Sequence, residues 1–191
     1  LIYMPIDLTV KQALAKAIQL HKSGELNEAE QIYRAILKLE PKNSDANHNL
    51  GLIALSVGHL EAALPFFEQA TRENITFPQY WISYIETLLK LNNLKLARVC
   101  LDEIARIGLD PTVLAAVRSK VVAAENTARY QTLFSEMINF FNSGDLTNAL
   151  KICQMLLVQA PAGAHCLSII GAINSKKGKI NEAYAQFKSA V

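Results

Sequence analysis

Long hydrophobic runs are missing from this sequence. No stretch of about 18 apolar residues occurs, so neither a transmembrane span nor a membrane partner is expected. Glycine (8 residues) and proline (6 residues) are too sparse for a collagen-like or low-complexity fibre. Charge of neither sign dominates. The formal net charge of +2 raises no field that would point to nucleic acid or an anionic surface. Cysteine is scarce too. Cys100, Cys153 and Cys166 are odd in number and far apart, so neither a disulfide framework nor a CxxC metal or redox site is expected. A reducing compartment, and hence a cytoplasmic location, is the simpler reading. Residues 1–4 are apolar but lack a basic flank, and Pro5 cuts the run short, so no secretory signal is read there. The chain does not begin with Met, and a processed or excised piece is expected.

What is present is an ordinary globular complement, 51% hydrophobic and 19% charged, which excludes a disordered chain. It is also strongly self-similar. Gly24, Ala29, Tyr33 and Pro41 form one set of marks. Gly51, Gly58, Ala63 and Phe67 form a second, and Trp81, Leu88, Ala97 and Leu101 a weaker third. Gly144, Ala149, Cys153 and Pro161 form a fourth, and Gly171, Gly178, Ala183 and Phe187 a fifth. Neighbouring copies lie 34 residues apart, as in Gly24 to Gly58, Ala29 to Ala63 and Gly144 to Gly178. A second period of 120 residues relates the first copy to the fourth and the second to the fifth. Period and marks together predict stacked helix pairs, because chance does not keep register through five copies.

These marks resemble the tetratricopeptide repeat, a 34-residue helix–turn–helix with small residues at the helix crossing, an A-x3-F seam and a closing Pro. The second copy, Ala46-Asn47-His48-Asn49-Leu50-Gly51, is also similar to the repeats of O-linked N-acetylglucosamine transferases and of bacterial multi-domain proteins. The resemblance implies an all-α, right-handed solenoid of about eleven helices. Residues 1–9 are an N-terminal tail, 10–111 hold three repeats, 112–127 a linking helix, and 128–191 two further repeats, the last truncated. The stretch 112–126 is Ala/Val-rich and helical in period but lacks the marks, so it is expected as one extra helix. Gly24, Gly58, Gly144 and Gly178 are expected to end first helices with positive φ. Gly51, Gly171 and the alanines let helix backbones approach. Pro41 and Pro161 stop second helices, and Pro65 is expected to be tolerated without a break. Ala183, Phe187 and Ala190 would leave an uncovered face at the end of the chain. From this a continuation beyond Val191, or a protomer covering the end, is expected.

Nothing in the sequence assembles a catalytic, cofactor or metal site. Gly171-x6-Gly178-Lys179 has the wrong spacing for a phosphate loop, and no Ser or Thr follows the lysine. His21, His48, His59 and His165 lack ligand spacing. Glu28, Glu30, Glu61, Glu68, Glu103 and Glu182 are expected on solvated second helices. Cys100 and Cys153 are expected as core fillers.

Function is therefore expected in the groove that, by the resemblance, first helices line. Its expected residues are Leu14, Ile18, His48, Asn49, Leu52, Gln79, Ile82, Ser83 and Glu86 in the first three copies, and Phe134, Ile138 and Phe141 in the fourth. A carboxylate clamp of the chaperone co-factor kind finds only Asn49 among its five places. An asparagine ladder fails at Ala15, Ser83, Ser135 and Ile169. What remains is largely apolar, and three readings stay open. The groove docks a protein or peptide, it mediates self-association through the groove or the uncapped end, or the helix near 112–126 covers part of it. The expected function is a non-catalytic interaction scaffold. The alternative is an arm of a larger glycosyltransferase, sulfotransferase or methyltransferase that orients its protein substrate.

Overall fold

The computed structural model describes residues 9–157 and 163–189, without the side chains of residues 180, 184 and 187–189. Pro161, Ala190 and the Phe187 side chain therefore lie outside the described residues. Among the described residues every regular element is an α-helix. They are α1 (Val10–Ser23), α2 (Leu26–Leu39), α3 (Ser44–Ser56), α4 (Leu60–Glu73), α5 (Pro78–Lys90), α6 (Leu94–Arg106), α7 (Pro111–Ser143), α8 (Leu146–Leu157), α9 (Gly163–Lys176) and α10 (Ile180–Ser189). The chain divides into two compact units, with the boundary between Ala124 and Glu125.

Local sequence explains where these helices start and stop. Thr9 opens α1 with a capping box: its hydroxyl accepts from the Gln12 amide, and the Gln12 side chain accepts from the Thr9 N–H. Gly24 closes α1 at φ 86°, and the following amide, Glu25, reaches back to the Leu20 carbonyl at 2.9 Å. The same closure recurs at Gly58 and Gly178, where His59 donates to Ala54 and Lys179 to Asn174, both at 2.9 Å. The third copy makes this turn without glycine. Asn92, 34 residues after Gly58, adopts φ 55°, and Asn93 donates to the Leu88 carbonyl at 2.8 Å. Asparagine tolerates this conformation better than other side chains with a Cβ. Pro65 sits in the second turn of α4, exposed, and the helix runs through it to Glu73.

Within the unit ending at Ala124, small and large side chains alternate across each helix pair. Ala13 and Ala17 of α1 share a core with Ala29, Tyr33 and Ile36 of α2 and Leu50 of α3. At the next crossing Gly51 leaves room for Phe67. A Cβ on Gly51 would stand 2.5 Å from Phe67 Cε1, so only glycine fits the observed ring position. Phe67 then leads into a second core with Trp81, Ile85, Leu88, Ala97, Leu101 and Ile104. Val117 and Val121 of α7 close that core.

The segment 112–126 is helical, as its period suggests, but it is not a separate helix. It continues into the first helix of the fourth copy, so that α7 runs for 33 residues. The reason is local: residues 124–131, Ala-Glu-Asn-Thr-Ala-Arg-Tyr-Gln, contain no glycine or proline to break the ladder. One fusion turns about eleven expected helices into the ten described.

The unit beginning at Glu125 has its own core of Met137, Ile152, Cys153, Leu156, Cys166 and Ile170, with Leu133, Phe134 and Ile138 packed on it. Cys153 Sγ lies 3.0 Å from Met137 Sδ. Burial pushes the Cys100 and Cys153 thiols up to about 12, so both are neutral core groups, as their positions in the repeat suggested.

Candidate functional site

In the first unit the expected groove residues come from α1, α3 and α5, the first helices of three successive copies. Helical spacing places Leu14 and Ile18 on one side of α1, Asn49 and Leu52 on α3, and Gln79, Ile82 and Glu86 on α5. Leu14, Ile18, Asn49, Leu52, Ile82 and Glu86 are half-buried and Gln79 is exposed. Leu14 and Ile18 pack against the first of the two cores described above, and Leu52 and Ile82 against the second.

His48 and Ser83 are placed differently. They are 7% and 5% exposed, and His48 Nε2 lies 2.9 Å from Ser83 Oγ. The imidazole is also sandwiched between rings, 4.8 Å from Tyr80 and 5.6 Å from Phe67, centroid to centroid. Burial holds its pKa down to about 4, against the opposing pull of the Asp45 carboxylate. The ring is thus neutral, and this hydrogen bond ties α3 to α5. A second tie runs beside it, since the Tyr80 hydroxyl donates to Asp45 Oδ1 at 2.5 Å. Gln79 Nε2 approaches Ser83 Oγ at 3.5 Å from the solvent side.

A buried Ser–His pair invites comparison with a nucleophile and its base. Such a pair needs an orienting group on the far ring nitrogen and a path for substrate. Here the Asp45 carboxylate is engaged by Tyr80, and Ser83 is enclosed beneath the ring. The pair joins α3 to α5 beside the residues expected to line a groove.

On α3, Asn49 Nδ2 donates to the Asp45 carbonyl at 2.8 Å. Burial lowers the pKa of His21 on α1, with the Asn49 side chain opposing the shift. Beneath these groups the Tyr33 hydroxyl is buried with no partner among the described residues. On the other flank α7 meets α5. Lys120 forms an ion pair with Glu86, and Ile82 lines a hollow of ≈ 230 Å³ with Thr112, Val113, Ala116, Val117 and Lys120. The first half of α7 thus borders Ile82 and Glu86 of α5. Lys120 was not among the expected residues, although it falls 34 residues after Glu86 and the repeat could have found it. Asp45 and Tyr80 pair across 35 residues, a contact that no linear motif marks.

In the second unit Phe134, Ile138 and Phe141 are half-buried. Phe134 has Tyr130 stacked and His165 edge-on, both at 6.2 Å. The Lys176 ammonium sits 4.5 Å from the Phe141 ring centroid. These three residues line one side of α7 toward α9.

Among the described residues no group of three or more His, Cys, Asp or Glu side chains could hold a metal ion. None of the described helices is long and apolar enough to cross a membrane.

Residues 20–81 match the tetratricopeptide repeat family. Two solved structures share the fold. The TPR domain of P58(IPK) superposes with a TM-score of 0.57 at 22% identity, over 95% of this chain and 50% of that one. A tetratricopeptide repeat protein from Parabacteroides merdae superposes with a TM-score of 0.57 at 17% identity, over 97% of this chain and 79% of that one. The chain thus spans half the length of the P58(IPK) domain. No curated protein matches the sequence. The internal periodicity, the helix pairs and these likenesses agree on a tetratricopeptide solenoid, a fold that typically mediates protein–protein interaction.

Proposed function

We infer from the tetratricopeptide repeats that this chain is a non-catalytic docking scaffold, and that the face built by α1, α3 and α5 takes a polypeptide. The observation that carries this reading is the row of half-buried apolar side chains Leu14, Ile18, Leu52 and Ile82, flanked by the Asn49 and Gln79 amides. Each apolar group still has surface to lose, and burying it against a ligand gains roughly 25 cal/mol per Å². Amides at intervals along such a row can pair with a peptide backbone and fix its register. Charge contributes little here, because Glu86 is already paired with Lys120. The preferred ligand is a segment presenting apolar side chains, with its backbone or uncharged polar groups toward Asn49 and Gln79. His48 and Ser83 act from below, holding α3 and α5 at the spacing the ligand spans. The aromatic trio Phe134, Ile138 and Phe141 offers the second unit's own apolar contact surface.

The test is affinity capture with the natural protein, comparing wild type with the Leu52→Asp, Ile82→Asp pair. Two carboxylates introduced at half-buried positions remove the apolar contact and add a desolvation cost, together about 3 kcal/mol or more, or over a hundredfold in affinity. Captured partners should disappear while the circular dichroism spectrum keeps its helical form. A partner that survives the double substitution sinks the reading.

A further inference from the structure

The 34-residue period does not end with the third copy, and what it leaves uncovered on α7 points to a second docking surface. Counting back from Ala115 by 34 residues reaches Trp81, Asn47 and Ala13, and counting back from Ser119 reaches Ile85, Gly51 and Ala17. In α1, α3 and α5 these positions are buried, none more than 7% exposed among Ala13, Ala17, Asn47, Trp81 and Ile85. What buries them is the second helix of each pair, through Ala29 and Tyr33 of α2, Phe67 of α4, and Ala97 and Leu101 of α6.

The first half of α7 occupies the corresponding place in a fourth copy. Its Val117 and Val121 enter the core beside Trp81, Leu101 and Ile104, as a next first helix would. Asn126 then falls 34 residues after the turn residue Asn92, but the turn is not made and α7 continues. No second helix follows within the first unit. Ala115 and Ser119 are accordingly exposed, and Val122 is 37% exposed. With Pro111, Leu114 and Arg118 they line an open hollow of ≈ 400 Å³.

We propose that this face of α7 docks an amphipathic helix of a partner protein, which takes the place of the absent second helix. The chain's own pairs specify the chemistry of the occupant. It carries a small residue and, four positions on, a large apolar one, as in Ala29/Tyr33, Ala63/Phe67 and Ala97/Leu101. The large residue seats against Ser119 as Tyr33 packs with Ala17 in the first pair. Ala115 and Ser119 are as small as Ala13 and Ala17, so the incoming backbone can come as close as α2 does to α1. Arg118 is the one charged group among the six lining residues, so the helix carries a carboxylate at its flank. This surface is separate from the groove of α1, α3 and α5.

The probe is a fluorescein-labelled peptide with the sequence of Leu26–Leu39, stapled on its polar side to hold it helical. It contains Ala29, Tyr33, Ile36 and the carboxylate of Glu28. Fluorescence anisotropy against the 191-residue chain should show saturable binding. Ala115→Glu with Val122→Glu should weaken it by about tenfold or more, and Arg118→Ala should reduce its salt dependence. The three side chains are exposed, and unchanged circular dichroism verifies folding. Leu52→Asp with Ile82→Asp should leave this binding intact, which separates the result from that for the groove. Absence of saturable binding, or equal binding to the Ala115→Glu, Val122→Glu protein, overturns the proposal. So does a concentration-dependent dimer that the same pair dissolves, since the occupant would then be a second copy of the chain.

Discussion

Gly51→Ala tests whether the small-against-large packing at the helix crossing fixes the repeat geometry. Two effects oppose each other. Alanine in a helix interior is favoured over glycine by about 1 kcal/mol, which alone would stabilise α3. The added Cβ, however, would lie 2.5 Å from Phe67 Cε1 and 2.8 Å from Cδ1 and Cζ. Real Cβ–carbon contacts do not reach such distances, so the ring must move by about 1 Å. Phe67 is 0% exposed, and the His48 ring centroid lies 5.6 Å away, so the ring has no open side to move into. Overpacking of an enclosed ring costs about 1–3 kcal/mol, and the upper part of that range applies when the neighbours are themselves buried rings. The net expectation is a loss of about 1–2 kcal/mol. Trp81, the single tryptophan, is in the same core and donates to the Ile75 carbonyl at 2.7 Å. Its fluorescence during urea unfolding therefore reads this region alone. Phe67→Leu, which removes the ring edge, should cost less in the Gly51→Ala background than in wild type, with a coupling of about 1 kcal/mol or more. If Gly51→Ala instead raised the urea midpoint by the full helix-propensity gain, Phe67 would have free space and the packing argument would be wrong.

Tyr33→Phe should leave stability unchanged or raise it by about 1 kcal/mol, because a buried hydroxyl without a partner is expensive to desolvate; a thermal midpoint lowered by several degrees would contradict this. His48 should make the first unit acid-sensitive. Its folded pKa of about 4 lies below the ordinary 6.5, so the unfolded chain binds the extra proton first as pH falls. The stability contribution is complete above about pH 6.5 and is lost progressively toward pH 4, to a limit of roughly 3 kcal/mol. His21, also lowered, adds in the same direction. Trp81-detected unfolding of wild type and His48→Gln at several pH values isolates the effect, and parallel pH profiles for the two proteins would refute it.

The helix pairs were legible in the sequence because their determinants are local or periodic. Gly24 and Gly58 mark turns by a property of one residue, and Ala29, Ala63 and Ala97 recur at the interval where two helices cross. The third turn was harder to read, since Asn92 performs with a Cβ the role that glycine performs elsewhere. The fusion within α7 is hidden in the sequence, because the pattern changes where the linking helix meets the first helix of the fourth copy. Helix ends depend on breaking residues, however, and residues 124–131 contain none.

The groove divides along the same line. Half-burial of Leu14, Ile18, Leu52 and Ile82 follows from helical phase, which one strand of sequence contains. Whether a polar side chain in that phase meets solvent or a neighbour depends on the adjacent helix, which the phase of one helix does not specify. His48 and Asn49 are consecutive on α3, yet His48 is closed off by Ser83, Tyr80 and Phe67 while Asn49 is half-buried and bonds the Asp45 carbonyl. The discriminating fact is the partner one repeat away, about 35 residues on, where Ser83 offers a hydroxyl to the ring. In a repeat fold such partners can be found by adding the period and comparing chemistry. Glu86 plus 34 gives Lys120, an opposite charge and an ion pair. The same addition applied to buried positions instead of paired ones leads from Ile85 to Ser119, from enclosed to open. A period therefore predicts contacts where the copies agree. Where they disagree, as on α7, it identifies a face that no second helix of the first unit covers.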